Sequence, residues 1–274
     1  MVWIVENFSD FDDANSIFWN ELCGTHLAKS IGVTDSSIES LNKYDSWYFD
    51  FYPYLLPWID KSLSDRGGKL LEIGLGFGTT SRYLMKKNEY VGLDIAAGPV
   101  DMVNLSAKQL EIANATGIQG SALSLPFGNA EFDSVVAIGS LHHTGNLDKA
   151  IEEVFRVLKP GGHFIGMVYN IFSLRNLIRS PLGTFRLLFS HDKARLVAGQ
   201  KLRWMSDHDS SGVAAPTTEY LSKSALKQCL SEFSNVAIDK KNLDETPFLP
   251  LRKHLINTKL ASKFGLDLYF SCTK

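Results

Sequence analysis

The spacing of apolar residues changes along this chain. From about residue 66 to residue 170, compact apolar runs alternate with amphipathic ones. The runs "KLLEIGLG", "YVGLDIA", "GIQGSAL", "FDSVVAIGS" and "GHFIGMVY" are short and rich in Leu, Ile and Val. That is how strands buried on both faces read. Between them, "SRYLMKK", "VDMVNLSAKQLEIAN" and "LDKAIEEVFRVL" carry helical spacing. Leu147, Ile151, Val154 and Leu158 fall at steps of four, three and four, which puts them on one helix face. Asp148 sits in the first turn of that helix, where a negative charge is favoured, and "PGG" at 160–162 ends it. Strand–helix alternation with short links predicts a mostly parallel sheet covered on both faces.

The flanks read differently. Residues 1–65 are aromatic-rich, with apolar residues at mixed three- and four-residue spacing and interruptions at Pro53 and Pro57. They predict an N-terminal helical cap. Residues 171–217 break the strand–helix rhythm and mix aromatics with Arg175, Arg179, Arg186, Arg195 and Arg203. They predict a helical insertion over the carboxyl edge of the sheet. After it, "YLSKSALKQCLSEF" reads as a helix, and "NVAIDKK" and "LDLYFSCT" as closing strands, for seven in all. The expected division is a cap at 1–65, a core at 66–170, an insertion at 171–217 and the end of the sheet at 218–274.

Composition narrows the function classes. The 274 residues carry Lys+Arg 28 against Asp+Glu 30, a net charge of -2, so a whole-chain basic footprint for nucleic acid is absent. Cys23, Cys229 and Cys272 are far apart, and no Cys/His metal spacing exists. Free thiols in a reducing cytoplasm are expected, with no metal. "MVWIVENFSDFDDAN" lacks the basic start and apolar run of a secretory signal. No apolar run approaches the roughly 20 residues of a membrane span. A cytoplasmic protein without a membrane partner is the expectation.

The candidate chemistry begins at Gly74, Gly76 and Gly78, which follow the first strand. Without Cβ atoms, such a loop turns tightly and lets a ligand approach the backbone. The next helix would aim free N–H groups at an anion. Thr79 stands where a dinucleotide fingerprint needs its third glycine. Asp94 ends the second strand, where an acid can take ribose hydroxyls or merely cap a turn.

Taken together, "LLEIGLGFGTTS", "YVGLDI", "GSALSLPFGNAEFDSVVAIGSLHHTGN" and "AIEEVFRVLKPGGHF" resemble the class I S-adenosylmethionine-dependent methyltransferases, in the subgroup that holds quinone-biosynthesis and natural-product enzymes. The resemblance covers about residues 66–170. It implies an α/β, doubly wound, Rossmann-like seven-stranded sheet and S-adenosylmethionine as cofactor, with S-adenosylhomocysteine as product. It also implies residue roles. Gly74, Gly76 and Gly78 would line the methionine and ribose portion, and Glu72 would hold the loop or the cofactor's amino group. Asp94 would bind the ribose hydroxyls. Ile95, Ser121, Ala122 and Leu123 would border the adenine. Many relatives carry an acid where Ser121 stands. Gly139 and Ser140 would lie under the methionine.

The methyl acceptor would bind at the carboxyl ends of the strands. Tyr44, Trp47, Tyr48, Tyr169 and Asn170 are candidate pocket walls, and Tyr52, Tyr54 and His26 could join them. The arginines of the insertion could hold an anion or form a solvated face. In "LHHTGN", His142 and His143 follow the fourth strand. Adjacent side chains on extended chain diverge, so one should face the pocket and the other pack beneath it. A histidine there suits proton removal near neutral pH, and His143 is preferred. The alternative is a pocket wall. No [DN]-P-P-[YF] tetrad or Pro-Cys nucleophile occurs, which argues against DNA as substrate. The expected activity is methyl transfer to an O or N atom of a small molecule. A non-catalytic cofactor-binding module on the same fold and a nicotinamide oxidoreductase stay as alternatives.

Overall fold

A computed structural model describes residues 10–20, 26–63, 68–179, 181, 194–209, 211–243, 255–256 and 258–274. Among the described residues, nine strands form one sheet: β1 (Lys69–Ile73), β2 (Glu89–Asp94), β3 (Ala115–Gln119), β4 (Phe132–Ile138), β5 (Leu158–Asn170), β6 (Arg195–Val197), β7 (Glu219–Leu221), β8 (Ser234–Lys241) and β9 (Asp267–Thr273). The parallel part runs β3-β2-β1-β4-β5. β9 lies antiparallel to β5, and β8 antiparallel to β9. The chain leaves β1 towards β3 and then returns to β4. Connections therefore diverge between β1 and β4, and a crevice opens at their carboxyl ends.

Helices α1 (Asp10–Trp19), α2 (His26–Ser30), α3 (Ile38–Phe51) and α4 (Leu55–Leu63) precede the sheet, and α5 (Thr79–Leu84), α6 (Ala97–Gln109) and α7 (Leu147–Val157) connect its parallel strands. Two apolar layers make the sheet doubly covered. On one face, Leu147, Ile151 and Val154 of α7 pack with Phe164 and Phe270. On the other, Leu55, Trp58 and Ile59 of α4 pack with Tyr90, Ile165 and Tyr269, joined by Val100 and Val103 of α6.

The architecture departs from the seven expected strands at β6 and β7. Tyr169 pairs with Asp267 of β9 and also with Tyr220 of β7, so these partners flank it on opposite sides. The β4–β5 ladder stops at Ile138↔Met167. β7 takes the edge of β5 that β4 vacates, and β6 pairs onto β7. Tyr220 and Leu221, expected in a helix, are therefore strand, and so is Arg195–Val197 within the expected helical insertion. Edge availability some fifty residues away decided this, and local periodicity does not carry it. Similarly, Leu158 opens β5 instead of ending α7, and β3 ends at Gln119, short of the expected "GSAL".

The β3 edge is blunted. The Asn104 side chain accepts from Gly117 N at 2.8 Å and donates to Gly117 O at 3.2 Å, occupying polar groups that a further strand would use. Asn104→Ala is expected to cost about 1 kcal/mol and to raise self-association, measurable by denaturant melts and light scattering.

Candidate functional site

The loop after β1 is built from backbone that side chains would strain. Gly74, Gly76 and Gly78 all have positive φ, at 84, 49 and 69 degrees. A Cβ on Gly74 would stand 2.2 Å from Ser140 Cβ, whereas one on Gly76 would meet nothing within 4 Å. Gly76 thus exposes its backbone to open space. Ser140 Oγ donates to Ile73 O at 2.6 Å and ties the post-β4 loop to the end of β1.

Two buried carboxylates organise this floor. Asp94 accepts Leu75 N at 2.7 Å and Ala96 N at 2.9 Å. Burial nonetheless outweighs these donors and pushes its carboxyl up to about 6. Glu72 accepts the Tyr90 hydroxyl at 2.5 Å. Burial pushes Glu72 up to about 7, and the charge of Asp94 adds to that.

A cavity of about 250 Å³ lies over the floor. Ile95, Pro99, Gly120, Ser121 and Ala122 line one end, and Glu72, Gly74, Gly76, Thr79 and Thr80 line the middle. Tyr44 and Tyr48 wall it from α3, with Tyr44 stacked on Phe77 at 4.1 Å. Arg82 Nε donates to Asp45 at 2.7 Å and its Nη1 to Phe77 O at 2.8 Å, clamping the glycine loop to α3. Gly139, Ser140, Leu141, His143 and Thr144 line the side after β4.

Other expected site residues lie outside the lining. Leu123 packs against the core, and its N–H holds the Ser121 hydroxyl oxygen at 3.1 Å. Gly78 caps α5 from outside the cavity. Trp47 stacks on Phe51 and packs with Ala28 and Val33, away from the cavity. Asn170 donates to Gly265 O at 2.7 Å and accepts Phe172 N at 3.1 Å, so its side chain is spent on the fold. Tyr169 is half-buried beside the histidines, with its hydroxyl donating to Asp207 at 3.1 Å. Both positions are consumed because β5 continues into the β7 and β9 ladders.

The two histidines have different environments. His142 is fully enclosed between His143 and Tyr169, with ring centroids at 4.1 and 4.3 Å. Burial holds its pKa well below the ordinary value, so the ring is neutral. His143 lines the cavity at 4% exposure. Its Nδ1 lies 2.9 Å from Thr217 O. A carbonyl only accepts, so Nδ1 carries the proton, and Nε2 of the neutral ring keeps its lone pair. Asp207 Oδ2 stands 3.8 Å from Nε2.

Helix α1 supplies cavity residues that the sequence reading did not single out: Asp12, Asn15 and Trp19. Their spacing of three and four is the one available signal, and any amphipathic helix shows it. Asn15 Nδ2 donates to His143 O at 2.8 Å, and Trp19 lies 4.9 Å from the His143 ring. Gly98 N donates to Asn20 Oδ1 at 2.8 Å, so α1 spans the cavity from the post-β4 loop to the start of α6.

The arginines of the insertion are committed elsewhere. Arg195 pairs with Glu219 at 2.6 Å and Asp148 at 2.5 Å, Arg203 donates to Ala198 O, and Arg175 to Ser206. No described arginine or lysine lines the cavity. Tyr52 and Tyr54 pack in the core layer around α4. Cys23, Arg186 and the side chains of Arg179 and His26 lie outside the described residues. Among the described residues, no cluster of three metal-ligating side chains occurs, and no helix is long and apolar enough to cross a membrane.

This arrangement fits S-adenosylmethionine. The Gly76 backbone faces open space, and a lining with buried carboxylates and no described lysine or arginine suits a sulfonium cation. The sequence agrees. A methyltransferase-domain family model matches residues 71–166. An uncharacterised protein of Methanocaldococcus jannaschii is 31% identical over 189 residues, covering 65% of this chain and 70% of that one. A fatty-acid O-methyltransferase of Mycolicibacterium smegmatis is 36% identical over 102 residues, and the match spans only 36% of that enzyme's length. Among solved structures, a Thermotoga maritima S-adenosylmethionine-dependent methyltransferase described as a possible histamine N-methyltransferase superposes with a TM-score of 0.56. It is 17% identical, over 85% of this chain and 96% of that one. The chain belongs to the class I S-adenosylmethionine-dependent methyltransferases, with S-adenosylmethionine as cofactor and S-adenosylhomocysteine as product.

Proposed function

We propose that this enzyme methylates an oxygen or nitrogen atom of a small molecule. The observation that carries this reading is one continuous cavity. It runs from Ser121 and Ala122, past Asp94 and the glycine loop, to His143 and the inner face of α1. In this reading Asp94 holds the ribose hydroxyls and Ile95, Ser121 and Ala122 border the adenine. Glu72 takes the amino group, and Gly74, Gly76 and Gly139 flank the methionine. When bound, the cofactor supplies a methyl group on a positively charged sulfur.

The protein's own part is to position the acceptor, exclude water and remove a proton where the nucleophile retains one. His143 is the group for that last task. Thr217 O holds the Nδ1 proton and leaves the Nε2 lone pair free. Asp207 stands ready to stabilise the charged ring, and Tyr169 orients Asp207. His142 serves as packing beneath it. In this reading the described helices of the expected cap (1–65) and the described part of 171–217, which brings Asp207, act as covers of one core. The acceptor is a small molecule in the same cavity, and the cytoplasm is the compartment this chemistry suits.

His143→Ala is expected to lower kcat about 100-fold while S-adenosylhomocysteine binds as in the parent protein. Calorimetric titration and product release measure the two quantities separately. Failure of the parent protein to bind S-adenosylhomocysteine removes the cofactor assignments. Unchanged turnover in the variant removes His143 as the base.

A further inference from the structure

Tyr48 of α3 lines the cavity, and its ring is held by its neighbours. The Phe49 ring lies 5.9 Å from it and the Tyr52 ring 4.8 Å, so a packed frame presents the hydroxyl. That hydroxyl makes no hydrogen bond among the described residues. Burial raises its pKa above the ordinary value, and the charges of Asp267 and Glu72 add to the rise. The hydroxyl therefore keeps its proton and can donate it. The influence of Glu72 also makes the two groups neighbours on the cavity that both line. Several nearby hydroxyls are committed elsewhere. Tyr90 donates to Glu72, Ser140 to Ile73 O and Thr144 to Leu141 O. Beyond burial, the groups that act on the Tyr44 hydroxyl are Tyr48, Asp45 and Arg82, on the side of the clamp.

The cofactor has a matching need. In the reading above, Glu72 takes the amino group of its methionine portion. The carboxylate hangs on the same carbon, so it must settle beside Glu72. A carboxylate taken out of water needs donors, and the described lining offers no lysine or arginine. We propose that Tyr48 Oη donates to the α-carboxylate of the cofactor, next to the amino group on Glu72, and so selects a cofactor with an intact amino-acid end. This rests on the reading of the cavity as the cofactor site. It moves Tyr48 from the acceptor's wall to the cofactor's side. Acid and hydroxyl together read a zwitterion, with the ammonium on Glu72 and the carboxylate on Tyr48. A neutral donor also spares the sulfonium a second cation at close range.

The test pairs a variant with a truncated ligand. S-adenosylhomocysteine and its decarboxylated analogue, which keeps the amine, are each titrated by calorimetry into the full chain at neutral pH. The parent protein is expected to bind the decarboxylated analogue at least about tenfold more weakly. Tyr48→Phe keeps the ring and removes the donor. It is expected to weaken S-adenosylhomocysteine about tenfold and to leave the affinity for the decarboxylated analogue unchanged. A merely structural role for the hydroxyl would weaken both ligands alike. If Tyr48→Phe does not fold in a thermal melt, Tyr48→Met, which also lacks a donor, is read by the same pair of ligands. Equal losses for the two ligands, an unchanged affinity of Tyr48→Phe for S-adenosylhomocysteine, or a parent protein that does not distinguish the ligands overturns the proposal. If the parent protein does not bind S-adenosylhomocysteine at all, the underlying reading of the cavity fails instead.

Discussion

Gly74→Ala is expected to destabilise the protein by about 4 kcal/mol and to abolish measurable cofactor binding. Two separate costs add. The backbone at Gly74 has φ 84 degrees, a region that L side chains rarely adopt. The added methyl would also stand 2.2 Å from Ser140 Cβ, far inside van der Waals contact. Ser140 cannot retreat without giving up its hydrogen bond to Ile73 O, which joins the ends of β1 and β4. The damage therefore spreads to the floor of the crevice. Gly76→Ala is the informative comparison. Its φ is positive too, but its methyl would point into open cavity space. That variant should fold with a loss of about 1 kcal/mol and still bind S-adenosylhomocysteine poorly, because the methyl takes up ligand space. Chemical denaturation and calorimetry on the pair separate strain from occlusion. Equal stability of Gly74→Ala and Gly76→Ala would contradict the account.

Glu72→Gln is expected to raise the stability of the ligand-free protein at pH 8 by about 3 kcal/mol and to leave it unchanged near pH 4.5. Burial lifts the Glu72 carboxyl from its usual 4.5 to about 7. The folded state then holds a proton that the unfolded state has already released. Stability from this group is present below the unfolded value and lost as pH rises through the folded one. Glutamine mimics the protonated acid and avoids the loss. Asp94, lifted to about 6 by burial, acts with the same sign over its own window. His142 acts with the opposite sign, since the unfolded ring charges below its usual 6.5 while the buried one stays neutral. Comparing variant with parent at each pH cancels both. Cofactor binding should show the reverse preference. A cation beside Glu72 favours the carboxylate, so parent affinity rises towards pH 7 and Glu72→Gln loses that dependence. Thermal melts from pH 4.5 to pH 8 provide the check, and parallel curves for the two proteins would refute it. In the proposed reading, cofactor binding offsets the stability cost of this buried acid.

Two properties of the site come from contacts between distant segments. Arg82 reads as an ordinary helix arginine until Asp45, 37 residues earlier, is placed beside it and the glycine loop is clamped. Asp207 has no motif around it, yet it reaches His143 from the far side of the insertion. Tyr169 and Asn170 illustrate the converse. Their place after the fifth strand made them pocket candidates, and β7 and β9 drew them into the sheet.

The chain by itself determined the strand–helix alternation, the glycine loop, the acids ending β1 and β2, and the histidine pair after β4. Each of these is local, because periodicity, missing Cβ atoms and strand ends leave their marks within a few residues. Only the tertiary structure decided that β5 runs on into β7, that His142 is sealed while His143 meets the cavity, and that α1 turns Asp12, Asn15 and Trp19 inward. An amphipathic helix shows which residues share a face. What that face covers depends on the partner it packs against, and that partner lies more than a hundred residues away.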